Sequence, residues 1–214
     1  MLTGISLLCV AAASITSVNA AVGPQQGVMG LPAVNPVKQP WIWPLPQKWE
    51  RGSSTLKLNE GIHFDYDGHN HILNSAVKRY HNLIFMKDDY PMIPYNWSTT
   101  DEHIHSSLNS IYIDVLNKSD HLDMDTDESY SLTIPVSGKA LIQAETVYGA
   151  LHALETFSQI VQWNPSQHAY VIPNAPWKIS DYPKYKHRGL LFDTSRHYYT
   201  PKDIKKVIDC RCCS

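Results

Sequence analysis

Apolar and polar residues alternate singly in two early stretches, Thr55-Leu56-Lys57-Leu58 and Ile62-His63-Phe64-Asp65-Tyr66. That period of two predicts half-buried strands. Asp67-Gly68 marks a turn, and the period then changes. Over residues 72–86, Leu73, Ala76, Val77, Tyr80, Leu83 and Ile84 fall on one helical face. Residues 87–102 carry Pro91 and Pro94 and read as loop. Strands are predicted at 110–116, 129–136 and 139–144, the last two separated by the Ser137-Gly138 turn. The strongest helical signal spans 146–162, where Val147, Ala150, Leu151, Leu154, Phe157 and Val161 form a stripe that Asn164-Pro165 should end. Burying each large member contributes about 1.5–3 kcal/mol before entropy is charged. Short strands around 170–172 and 177–179 complete an α+β domain, a several-stranded sheet with two amphipathic helices, over residues 41–183.

The flanks differ. W-I-W-P-L-P at 41–46 cannot be helical, because Pro44 and Pro46 break the pattern. It should run extended, with its tryptophans anchoring it to the sheet. At the other end, K-H-R-G-L-L-F-D-T-S-R-H-Y (186–198) places a short apolar run before a polar turn. A strand is expected at 188–193. Thr200-Pro201-Lys202-Asp203 then starts a helix, with Thr200 as cap, Pro201 in the first turn and Ile204, Val207 and Ile208 as the apolar face. Residues 184–209 therefore read as the first βα step of a second domain. Gly189 to Phe192 suits burial inside a parallel sheet. With no second strand beside it, its edges lack partners, so 184–214 is expected to dock loosely.

Composition adds the setting. The apolar run at 5–13 and Val18-x-Ala20 predict an export signal over 1–20, too short to span a bilayer. Residues 21–40, rich in Gly, Pro and Gln, read as linker or propeptide. The sequons Asn96-Trp97-Ser98 and Asn117-Lys118-Ser119 make Asn96 and Asn117 candidate glycosylation sites of a secretory-pathway protein, secreted, lysosomal or vacuolar. A net charge of −2 without a basic run argues against nucleic acid and acidic membranes as partners. Cys9 leaves with the signal. Cys210, Cys212 and Cys213 lack the fourth ligand of a zinc site, so 210–214 reads as an atypical, foreign tail.

No metal or cofactor is implied. Asp123-x-Asp125-x-Asp127-Glu128 resembles the start of a calcium loop, but Glu128 stands where Gly is required and Ile134 where Glu is required. It reads as a solvated acidic turn. His69-x-His71 and His103-x-His105 lack a third ligand nearby.

W-P-L-P at 43–46, E-T-V-Y-G-A-L-H-A-L-E-T-F-S-Q at 145–159 and H-R-G-L-L-F-D-T-S-R-H-Y at 187–198 resemble eukaryotic β-N-acetylhexosaminidases, glycoside hydrolase family 20. The resemblance covers about 41–209. It implies a smaller α/β domain followed by a (β/α)8 barrel that carries the active site. It also implies removal of terminal N-acetylhexosamine from glycans with retention, the substrate's acetamido oxygen acting as nucleophile. In that family a Glu protonates the leaving oxygen and the preceding Asp orients the acetamido group, both on a later barrel strand. Asp101-Glu102 and Asp127-Glu128 have these letters but lie in the first domain, outside the family's motif context, and read as surface carboxylates. No catalytic residue is assigned, and an inactive fragment is expected.

Arg188 matches the family arginine that hydrogen-bonds hydroxyls of the terminal sugar, a task suited to a guanidinium fork. The competing reading is a structural arginine paired with Asp193 or another barrel carboxylate. Barrel sites lie at the carboxyl ends of strands, nearer Asp193, Arg196 and His197, which are expected to fix the first βα loop. Two other readings compete for the whole chain. One is a non-catalytic module that binds glycans or pairs with a hexosaminidase subunit. The other is a truncated gene model of an intact enzyme.

Overall fold

Two helices lie against one mixed sheet in the computed structural model, which describes residues 40–68, 70–86 and 104–211. In chain order the elements are β1 (Lys48–Tyr66), α1 (His71–Ile84), β2 (Ile104–Asn117), β3 (Tyr130–Ile134), β4 (Ala140–Thr146), α2 (Val147–Ile160), β5 (Gln162–Asn164), β6 (Ala169–Asp181) and α3 (Pro201–Arg211). The sheet order is β1-β2-β4-β3-β6-β5, and β6 also pairs with β1. β2 runs parallel to β1 and β4; the other pairings are antiparallel.

The two predicted early strands belong to one strand of 19 residues, β1. A register shift between Leu58 and His63 absorbs the break in period at Asn59-Glu60-Gly61. The two predicted late strands likewise fuse into β6 despite Pro173 and Pro176. The ladder with β1 shifts register beside Pro176, between Arg51 and Ser54, and Gly52 fits there because a Cβ would lie 2.4 Å from the Ala175 carbonyl oxygen.

Both predicted helices form, each on a side-chain cap. Asn70 accepts from the Leu73 amide at 3.0 Å to start α1. The face of α1 is narrower than its pattern suggested: Leu73, Ala76, Tyr80 and Ile84 are buried, while Leu83 is exposed. Thr146 caps α2, which buries Val147, Ala150, Ala153, Leu154, Phe157 and Ile160. The helix stops at Ile160, ahead of Asn164-Pro165, because the chain turns straight into β5. Asn164 instead holds the following turn, its Oδ1 accepting from the Ser166 and Gln167 amides at 3.0 and 3.2 Å. Leu56, Leu58, Leu108, Ile111, Leu132, Ile134 and Ile142 meet these helix faces in the core.

Two expectations for the flanks are corrected. Trp41 and Trp43 do not anchor the N-terminal stretch; they are 81% and 84% exposed, and Ile42 between them is buried. An extended chain sends alternate residues to opposite sides, and here the even position faces inward. Gln159 completes the attachment, accepting from the Trp43 amide at 2.6 Å and donating to the Trp43 carbonyl at 2.8 Å.

The strand expected at 188–193 is absent. Residues 182–200 form neither helix nor strand, and Leu190 and Leu191 are 62% and 96% exposed. A strand exists through a ladder to a neighbour, and no described strand runs beside this segment. The barrel implied by the family resemblance is not observed here. Downstream, α3 forms on its own hydrogen bonds, with Thr200 Oγ1 accepting from the Asp203 amide at 3.2 Å.

Candidate functional site

The turn between β2 and β3 folds on its own carboxylates. Asp123 Oδ1 accepts from the Asp125 amide at 2.9 Å and from the Thr126 hydroxyl at 3.1 Å. Asp127 Oδ1 accepts from the Ser129 amide at 2.8 Å. These bonds hold both carboxyls below the usual range, Asp123 chiefly through the Asp125 N–H and Asp127 chiefly through the Ser129 hydroxyl. Asp123 and Asp127 are thus turn caps of the Asx kind.

Thr146 ties this turn to the helix behind it, its hydroxyl donating to the Asp127 carbonyl at 2.6 Å. Gly149 lets α2 come close: a Cβ there would lie 2.4 Å from the Ser129 carbonyl oxygen and 3.2 Å from the Glu128 backbone. One turn further along the same helix face, His152 reaches the Glu128 side chain.

Glu128 departs from the expected solvated carboxylate. Its side chain is only 18% exposed and pairs with Arg188, Nη2 to Oε2 at 2.6 Å. His152 Nε2 lies 3.8 Å from the same oxygen. A second guanidinium nitrogen of Arg188, Nη1, donates to the Tyr185 carbonyl at 2.7 Å. Two residues earlier Lys186 meets Asp125 at 2.6 Å. The stretch around Tyr185–Arg188 therefore lies as a strap across the acidic turn, held by two ion pairs. The Lys186 pair is open to solvent and screened by salt; the Arg188 pair is sheltered on its carboxylate side. Burial pulls the His152 imidazole below its ordinary 6.5, the Glu128 carboxylate pulls it back up, and the Arg188 guanidinium lowers it further.

Arg188 is thus paired, but with a carboxylate of the first domain and not with Asp193. Asp193 Oδ2 binds Arg196 Nε at 2.8 Å, and its Oδ1 accepts from the Ser195 and Arg196 amides at 3.0 and 3.1 Å. The His197 amide donates to the Asp193 carbonyl at 3.3 Å, so these residues close one local turn. Asn117 ends β2 exposed, its Oδ1 accepting from the Ser119 amide at 3.0 Å. Asn96, Asp101-Glu102, His69 and His103 lie outside the described residues. His71 Nδ1 sits 3.2 Å from Asp120 Oδ2, and among the described residues no three His, Cys, Asp or Glu cluster as metal ligands. A cavity of about 380 Å³ lies away from Arg188, lined by Lys57, Asn59, Glu60, Ser107, His168 and Tyr170 among others.

The roles of Glu128 and His152 were not visible beforehand. The available signal was charge: the cluster 123–128 has no cations of its own, and K-H-R at 186–188 is the opposite cluster further along the chain. Nothing in the spacing indicated that the two meet.

Residues 42–160 match the sequence profile described as beta-acetyl hexosaminidase like, and residues 185–213 match the glycosyl hydrolase family 20 catalytic domain. The chain belongs to the β-hexosaminidase family, glycoside hydrolase family 20. It is 35% identical over 177 residues to beta-hexosaminidase subunit B1 of Dictyostelium discoideum, covering 80% of this chain and 29% of that protein. It is 34% identical over 179 residues to beta-hexosaminidase 1 of Arabidopsis thaliana, covering 79% of this chain and 33% of that one. The chain thus spans about three tenths of the length of these relatives. Among solved structures it is similar to the Flavobacterium johnsoniae chitobiase, with a TM-score of 0.57 and 25% identity over 77% of this chain and 24% of that one. Lys186 and Arg188 fall within the catalytic-domain match of this family 20 chain, whereas Glu128, Asp125 and His152 fall within the other.

Proposed function

We propose that this chain carries the first domain and the opening segment of the catalytic domain of a β-N-acetylhexosaminidase acting on glycans that end in N-acetylhexosamine. The observation that carries the reading is the catalytic-domain match at 185–213, which contains Arg188, the residue suited to grip neighbouring sugar hydroxyls. In this reading 41–183 is the N-terminal domain and 184–209 begins the catalytic one. Residues 1–20 are an export signal and 21–40 a linker or propeptide. Asn96 and Asn117 carry glycans in the secretory pathway, on the way to secretion or to a lysosome or vacuole. Among the described residues no helix is long and apolar enough to cross a membrane.

In this reading neither Asp101-Glu102 nor Asp127-Glu128 supplies the acid. Asp127 is engaged in its turn and Glu128 in holding Arg188, so neither is placed to protonate a glycosidic oxygen within hydrogen-bond reach. The expected outcome for purified residues 21–214 is no hydrolysis of a chromogenic N-acetylglucosaminide above an empty-vector preparation. Turnover would overturn the assignment of the acid elsewhere.

A second reading, a glycan-binding or subunit-pairing module, is favoured by Trp41 and Trp43, whose rings stand in solvent where a sugar face can stack. Relatives named as subunits support the pairing form. Glycan-array binding that is lost in Trp41→Ala and Trp43→Ala would favour this module.

A further inference from the structure

Glu128 Oε2 is shared by two groups from different parts of the chain. Arg188 Nη2 approaches to 2.6 Å from the strap, and His152 Nε2 to 3.8 Å from α2. The Glu128 and His152 side chains are mostly shielded, while Arg188 is more open. A shielded carboxylate that loses its partner pays a desolvation cost unless another cation replaces it. His152 is already placed to be that replacement. Asp181, at the end of β6, is the other charged group acting on the imidazole.

We propose that Glu128 and His152 form a proton-operated latch on Arg188. While His152 is neutral, Glu128 holds the guanidinium and the strap is closed. When the imidazole takes a proton from solvent, the imidazolium satisfies Glu128 and Arg188 is released. One proton moves from water to a ring nitrogen and one ion pair replaces another at Glu128, which leaves the strap held by the exposed, salt-screened Lys186–Asp125 pair.

The linkage has a definite sign. In the closed state burial and the Arg188 guanidinium disfavour the protonated ring, against the opposing pull of Glu128 and Asp181. Opening removes the Arg188 contribution, so the open state binds the proton more tightly. Acid therefore favours opening, and opening favours protonation, by the same factor. If Arg188 is the sugar ligand proposed above, its availability rises as pH falls below the ordinary 6.5 of His152. That consequence rests on the proposed function; the latch itself does not.

The test uses the full chain without any sugar, so failure of the enzyme reading leaves it intact. The His152 ring is titrated by NMR in the wild type and in Arg188→Gln, and backbone ¹⁵N order parameters at 185–189 are followed from pH 7 to pH 5 as the readout of strap opening. Arg188→Gln should raise the His152 pKa by roughly half a unit or more. Strap opening should increase with acid in the wild type, lose that dependence in His152→Gln, and stay high at every pH in Glu128→Gln. An unchanged His152 pKa in Arg188→Gln, or an acid dependence that survives in His152→Gln, overturns the latch. Those two arms decide it even where Glu128→Gln fails to fold.

Discussion

Residues 130–134 and 189–192 are both short apolar-rich runs, yet they end in opposite states. The first is β3, paired on both edges by β4 and β6 with Leu132 and Ile134 fully buried. The second is irregular, with Leu191 almost wholly in water. Apolar character is common to both; neighbours are not. Strand formation is a property of the pair of chains, because the hydrogen bonds run between them. Helix hydrogen bonds close within one segment, so α3 needs no neighbouring strand to make them.

The sharpest way to test that contrast is to truncate one large apolar side chain in each region, buried Phe157 and exposed Leu191. Phe157→Ala should cost about 3–5 kcal/mol of domain stability in urea unfolding, whereas Leu191→Ala should fall within about 0.5 kcal/mol of wild type. Comparable losses would mean that 184–199 is packed and the contrast is false.

Gly149→Ala probes the close approach that brings α2 to the acidic turn. The added Cβ meets backbone rather than a flexible side chain. Overpacking should cost about 1–3 kcal/mol, partly offset by a gain in helix propensity of about 1 kcal/mol. The unfolding midpoint should fall, and a rise would show that the turn yields.

Arg188→Gln should act locally. Loss of a charge-assisted contact of roughly 1–3 kcal/mol, reduced by the exposure of the guanidinium, should lower backbone ¹⁵N order parameters in the strap while the urea midpoint of the domain stays put. A drop in that midpoint would show that the strap is part of the core unit.

The smallest effect is graded by pH. The folded-state pKa of His152 lies below its unfolded value, so the unfolded chain binds more protons between the two. The resulting contribution is fully present above the ordinary 6.5 and is lost as pH falls through the folded value. The wild type should therefore lose stability relative to His152→Gln as pH falls below 6.5. Parallel stability curves for the two proteins would remove His152 from the account.

Much of the first domain was legible because its signals are local or repeat at short range. The stripe Val147-Ala150-Leu154-Phe157 and the turns at Gly68 and Gly138 each state their conformation within a few residues, whereas the caps Asn70 and Thr146 emerged only in the structure. The fusion of two predicted strands into β1 was not legible, since it depends on how β2 takes up a register shift at Asn59-Glu60-Gly61. Nor was the outward turn of Trp41 and Trp43: alternation says that neighbours face opposite ways, and only the site available to Ile42 decides which way is in. For the candidate site, Arg188 was singled out by its motif, while the carboxylate that holds it lies sixty positions earlier in the chain.

The amino-acid order by itself determined the helices, the Thr200 cap, the presence of an acidic turn and membership of the hexosaminidase family, because each is written in local runs of residues. Tertiary structure alone decided that 188–193 is no strand, that Glu128 faces Arg188 and that His152 shares its carboxylate oxygen. Those outcomes depend on which distant segment arrives beside a residue, and a ladder bond or an ion pair exists only when its second half is there.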